Sequence, residues 1–154
     1  MEVLYHDVHR ASPEIETACR ARYTAKDELF RRADIVTIHI PYSRETHHAV
    51  GAPEIALMKK SAILIHAARG GAVDDVALIE ALRKGAIAGA GLDVFEGEPA
   101  LHPGFLEQKN VVLSPHIASS SEKTRFRMAM MAAENCVAAL TTGIPPNLLN
   151  PAGK

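Results

Sequence analysis

An arginine, a glutamate and a histidine each stand just past a short apolar run: Arg69 in HAARGG, Glu98 in LDVFEGEP and His116 in SPHIASS. Their side chains do complementary chemistry. A guanidinium fork grips a carboxylate through two parallel hydrogen bonds. An imidazole can hand a proton to a developing alkoxide near neutral pH. A carboxylate beside that imidazole fixes its tautomer and favours its protonated form. At neighbouring strand ends, the three can hold a 2-keto acid by its carboxylate and protonate its carbonyl oxygen on reduction.

For that to happen the chain must bring strand ends together. Short apolar or β-branched runs over 2–5, 35–40, 62–66, 87–92 and 111–113 read as strands. Helices are expected over 13–19 with Ser12 as N-cap, 26–32, 53–59, 73–84 and 122–140. Over 73–84 the spacing of Val76, Ile79 and Leu82 sets the apolar face, and Gly85 stops the helix. The Gly/Ala-rich strand over 87–92 implies close packing by its neighbours, and 95–109 reads as a loop over the site. Strands alternating with helices predict an α/β fold with a parallel sheet covered on both faces. Such sheets bind ligands beyond the carboxyl ends of their strands. Asp7, Pro41, Arg69, Asp93 and His116 all fall at or just past such ends.

Composition sets bounds. The 154 residues predict one domain, and 47% hydrophobic with 23% charged residues is ordinary for a globular chain. A net charge of -1 gives no electrostatic case for nucleic acid or an anionic membrane. No apolar run approaches a membrane span, and the opening residues do not read as a signal peptide. Cys19 and Cys136 form no C-x-x-C, so two buried thiols in a reducing cytoplasm are expected.

The stretches ALMKKSAILIHAARGGAVDDVALIEALRKGAIAGAGLDVFEGEP, NVVLSPHIASSSEKTR and PPNLLNP occur in that order. Through them the chain resembles the D-isomer-specific 2-hydroxyacid dehydrogenases, on the glyoxylate/hydroxypyruvate and 2-ketogluconate reductase side. The resemblance implies a Rossmann-type NAD-binding domain over 1–154, without its first strand and Gly-rich turn and without a separate substrate domain. It implies reduction of a small 2-keto acid to the D-2-hydroxy acid, with Arg69, Glu98 and His116 as catalytic residues. The cofactor is expected to be NAD, and the partner a second copy or a missing N-terminal half. Asp7, ending the first strand, would accept hydrogen bonds from the adenosine ribose, flanked by Val8 and His9. Arg10 nearby could instead accommodate a 2′-phosphate, which leaves NADP as the alternative. Further cofactor contacts are expected at Ile40, Pro41, Ala67 and Ala68, then at Arg69, Asp93, His116 and Ala118. Asp93 would hold the nicotinamide amide.

Other residues have plainer readings. Glu96 competes with Glu98 for the role beside His116. His66 stands where the family commonly has Asn. His39 reads as a core histidine near the adenine pocket, and Met128, Met130 and Met131 as packing. His47-His48 tempts a metal reading, but no nearby carboxylate or Cys completes the set, so no metal is expected. A second functional class stays open, a non-catalytic binding, dimerisation or corepressor-like module on the same scaffold.

Overall fold

The computed structural model describes residues 1–150, so Pro151 of the PPNLLNP stretch lies outside the described residues. The chain divides into two units, Met1–His116 and the segment from Ile117 onward.

In the first unit, β1 (Val3–Tyr5) pairs in parallel with β2 (Ala21–Tyr23) across the helix α1 (Pro13–Cys19). A second, four-stranded sheet follows: β3 (Ile35–Ile38), β4 (Ile63–His66), β5 (Gly89–Leu92) and β6 (Val111–Leu113), hydrogen-bonded in that order and all parallel. The helices α2 (Lys26–Arg32), α3 (Ala52–Leu57) and α4 (Asp75–Arg83) connect them. This is the expected Rossmann-like α/β arrangement. The register aligns Ile38, His66, Leu92 and Leu113 in one row, so the carboxyl ends of all four strands finish level. That row lets residues far apart in sequence converge.

The core lies on one face of this sheet. Val36, Ile38, Leu64, Ala90 and Leu92 pack with Phe30 of α2, Ile55 of α3 and Leu78 and Leu82 of α4. The other face is open, with Ile35, Ile63 and Val112 at 59%, 40% and 74% exposure. The cover expected on both faces is therefore one-sided within the described residues.

α4 shows how local signals set an element. Asp74 is its N-cap and accepts from the Ala77 N–H at 2.9 Å. Gly85, at φ 62, takes the left-handed position past the C-cap. The Gly85 N–H then reaches the Leu82 carbonyl and the Ala86 N–H the Ala81 carbonyl, which closes the helix. The buried face agrees with the expected one at Leu82 and, in part, at Ile79, while Val76 faces solvent; Asp75, Leu78 and Ala81 are buried as well. Asp75 is tied to the loop after β5, its Oδ2 accepting from the Glu96 N–H at 3.0 Å.

The stretch expected to be a loop over 95–109 contains a short 3-10 segment, Pro103–Glu107. Its Phe105 is fully buried, 6.1 Å from the Phe95 ring. A buried Phe contributes roughly 1.5–3 kcal/mol, enough to pin the segment against the core.

The second unit carries one long helix, α5 (Glu122–Thr141), capped by the Ser121 side chain. It buries none of its residues. Phe126, Met128, Met130, Met131, Val137 and Leu140 are exposed, so the methionines are not buried among the described residues as expected. Cys19 and Cys136 are likewise exposed rather than buried.

Candidate active site

The carboxyl edge of the four-stranded sheet gathers most of the residues singled out above. β4 runs directly into Ala67, Ala68 and Arg69, β5 into Asp93, and β6 into Ser114, Pro115 and His116. Ile40 and Pro41 lie just past β3. Asp7, Val8 and His9 lie past β1 at the end of the smaller sheet. Ala118 falls in the second unit.

Glu98 and His116 meet. The His116 Nδ1 lies 2.7 Å from Glu98 Oε2, and Glu98 Oε1 accepts from the Phe95 N–H at 2.8 Å. A carboxylate only accepts, so Nδ1 carries the proton and Nε2 is left for another partner. The His116 hydrogen bond, followed by smaller contributions, holds the Glu98 carboxyl below its usual range. His116 itself sits at φ 53. That left-handed backbone is uncommon for a residue with a Cβ and turns the ring back toward the Glu98 loop. The pair opens on a cleft of about 430 Å³, lined also by Phe95, Leu101, Leu113 and Ser114. A comparable depression of about 490 Å³ lies at Glu2, Val3, Ala21 and Arg22, the opposite ends of β1 and β2. It holds none of the residues past the strand ends.

Glu96, the competitor, turns elsewhere. Its carboxylate lies 3.0 Å from His48 Nε2. The separation of the two glutamates rests on backbone contacts. The Glu96 N–H is held by Asp75, and Gly70 lies so close to the Phe95 carbonyl that no Cβ would fit there. The HAARGG and LDVFE segments are thus locked together.

Arg69 is exposed, and its Nη1 donates to the Ala68 carbonyl at 2.8 Å. The Arg69 carbonyl is 3.0 Å from His66 Nε2. A carbonyl accepts, so His66 carries its proton on Nε2, and its buried Nδ1 is an acceptor with no hydrogen-bond partner among the described residues. Desolvation pushes the His66 pKa down, which keeps the ring neutral. Asp93 is buried and accepts from the Ser114 hydroxyl at 2.5 Å. Ser114 is a site residue that the spacing did not reveal; only the pairing of β5 with β6 brings it to Asp93.

Two further expectations change, one beside β3 and one at the smaller sheet. His39 is exposed and bonded to Thr37, not in the core. Arg10 is forked on Glu16, with Nε at 2.8 Å from one carboxylate oxygen and Nη2 at 3.1 Å from the other. The Arg10 contact, then the Tyr5 hydroxyl, lower the Glu16 carboxyl to about 2. Arg10 is therefore not free, whereas Asp7 is exposed: its carboxylate accepts a local bond from the His9 N–H, and its carbonyl faces the Tyr23 hydroxyl at 3.4 Å.

Residues 1–118 match the family described as D-isomer specific 2-hydroxyacid dehydrogenase, NAD binding domain. The chain belongs to this family. It is 51% identical over 152 residues to a glyoxylate reductase from Aeropyrum pernix, covering 97% of this chain and 45% of the relative. Among solved structures, the chain resembles the NAD-complexed D-isomer specific 2-hydroxyacid dehydrogenase of Lactobacillus delbrueckii ssp. bulgaricus. That match has 34% identity and TM-score 0.86, over 97% of this chain and 49% of the other. It also resembles an NADPH-dependent glyoxylate/hydroxypyruvate reductase from Sinorhizobium meliloti, solved with NADP and malonate, at 33% identity and TM-score 0.85, over 94% and 44%. The chain thus spans less than half the length of these D-2-hydroxyacid dehydrogenases. No helix among its described residues is long and apolar enough to cross a membrane.

Proposed function

We propose that residues 1–154 serve as the greater part of the NAD(P)-binding domain of a cytoplasmic reductase. Its substrate is a small 2-keto acid (glyoxylate, hydroxypyruvate or 2-ketogluconate), converted to the D-2-hydroxy acid. The observation that carries this reading is the Glu98–His116 pair, 2.7 Å apart past the carboxyl edge of a parallel sheet. NADH, when bound, supplies the hydride. The chain's own residues do the rest. The Arg69 guanidinium binds the substrate carboxylate. His116, with Nδ1–H fixed on Glu98, acts as the imidazolium: it delivers its second proton, from Nε2, to the carbonyl oxygen as hydride adds to the carbonyl carbon, and is left as the neutral ring.

The residues fit the two ends of a dinucleotide. Asp7 offers its exposed carboxylate to the ribose, and Asp93, steadied by Ser114, offers one to the nicotinamide amide. Ala67, Ala68, Ile40 and Pro41 are small or apolar walls between those ends. The sequence holds no G-x-G-x-x-G turn for the pyrophosphate. We infer that another segment supplies it, pairing along the free edges of β1 and β3. The separation of the two sheets and the open sheet face support this. The exposed apolar residues of α5 support a homodimer.

The test is a chimera in which this chain replaces the matching segment of the Aeropyrum pernix relative. It should oxidise NADH in the presence of glyoxylate and run as a dimer in light scattering. The 154-residue chain alone should show no turnover, because near-attack geometry needs the whole cofactor site. A folded chimera with no activity on any of the three keto acids would reject the assignment.

Cofactor choice follows from Asp7 and Arg10. The chimera should prefer NADH. Asp7→Ser alone should change this little, since Glu16 keeps Arg10 engaged. Adding Glu16→Gln should raise NADPH use relative to NADH by about tenfold, the worth of one charge-assisted hydrogen bond. Steady-state kinetics with both cofactors measure this. An unmutated chimera that already prefers NADPH would remove Asp7 from the ribose.

A further inference from the structure

His47 and His48 gain in the fold the carboxylate that they lack in sequence. Glu96, 48 residues after His48, brings both oxygens within 3.1 Å of His48 Nε2. The His47 ring stacks on the His48 ring with centroids 3.8 Å apart and planes inclined by 25°. One donor atom from each of the three residues lies within 4.8 Å of the others. We propose that His47, His48 and Glu96 form a binding site for a divalent transition-metal ion of the zinc class.

The donor set is the first support. Two imidazoles and one carboxylate, with a further position open, suit a borderline cation such as Zn²⁺ and suit Mg²⁺ poorly. Distance is the second. With metal–ligand bonds of about 2.0–2.1 Å, two ligands at a tetrahedral centre stand roughly 3.3 Å apart. His48 Nε2 and Glu96 are already separated by 3.0–3.1 Å, bridged by a proton that an ion would replace. Third, the outer partners are in place. Asp74 Oδ2 lies 3.7 Å from His48 Nδ1, on the side of the ring away from Glu96. With the proton moved to Nδ1, His48 would stand between the ion and a carboxylate, the arrangement that orients metal-bound histidines. The Glu96 backbone is fixed by its N–H bond to the buried Asp75. The Tyr42 hydroxyl stands 3.4 Å from His47 Nδ1 and so steadies the third ligand.

The site joins the turn after β3 to the loop after β5. That loop also holds Glu98, so a bound ion would brace the segment that presents Glu98 to His116. The proposal does not depend on dehydrogenase activity and is tested on the chain itself.

The chelator-stripped 154-residue chain is titrated with ZnCl₂ by calorimetry, with MgCl₂ as comparison and Co²⁺ absorption as a readout of coordination. One Zn²⁺ should bind per chain, raising the melting temperature, and Mg²⁺ should not bind. His47→Ala and Glu96→Gln should each weaken Zn²⁺ binding more than about tenfold, and Asp74→Asn about tenfold, the usual cost of losing an outer partner. Asn caps a helix as well as Asp, so that last variant leaves α4 intact. His47 is exposed, so its truncation leaves the fold intact too. Absence of binding at millimolar Zn²⁺, or binding unchanged in both His47→Ala and Glu96→Gln, would overturn the site and leave His48–Glu96 as a hydrogen-bonded latch only.

Discussion

In the chimera, His116→Gln should lower kcat for glyoxylate reduction by about 10²- to 10⁴-fold, the range for a positioned proton donor. Glutamine keeps a polar end of similar reach but cannot release a proton near neutral pH. The surroundings of the substitution stay in place. Glu98 keeps its bond from the Phe95 N–H, and β6 keeps its register on β5. NADH affinity should therefore change little, and the loss should appear in kcat. Glu98→Gln tests the same pair from the other side. An amide carries no negative charge to stabilise the imidazolium from which Nε2 gives up its proton. Its kcat should fall by a comparable factor. A His116→Gln enzyme within a few-fold of the parent would remove His116 from the proton transfer.

What could be read from the sequence is what local signals encode. Asp93 and Ser114-Pro115 end apolar runs, and these stops placed the ends of β5 and β6 correctly; β3, expected to run up to Pro41, stops at Ile38. The strand Ala21–Tyr23 was not legible. It has three residues, an arginine in the middle, and a partner only in β1, with Tyr23 set edge-on to Tyr5 at 5.5 Å. In α4 the spacing placed Leu82 and Ile79 toward the core but also Val76, which is exposed, and the buried place of Asp75 was not legible, because its partner is the Glu96 N–H, 21 residues away. The same holds at the site. Ser114 with Asp93 and His48 with Glu96 are contacts made by strand pairing and loop approach, and no spacing carries them. Residue types alone also left Glu96 and Glu98 equivalent; the packing of Gly70 against Phe95 is what separates them.

Arg69→Lys should cost about 2–4 kcal/mol of transition-state binding, read in kcat/KM for glyoxylate, as a point charge replaces a two-pronged fork. This variant isolates the side chain unusually well. The backbone at position 69 is held independently of the guanidinium, because the Arg69 carbonyl accepts from the buried, neutral His66 and Gly70 is wedged against Phe95. In the free chain the guanidinium rests on the Ala68 carbonyl, one exposed hydrogen bond to an uncharged acceptor. A bound carboxylate offers two charge-assisted bonds in place of that one, so the fork has reason to turn toward substrate. Lysine keeps the charge and loses the second bond and its direction. The melting temperature should stay near that of the parent, and NADH affinity should shift far less than kcat/KM. If kcat/KM for glyoxylate remains within a few-fold, the carboxylate is gripped by another group, and the role given to HAARGG reduces to the backbone turn that its glycines make.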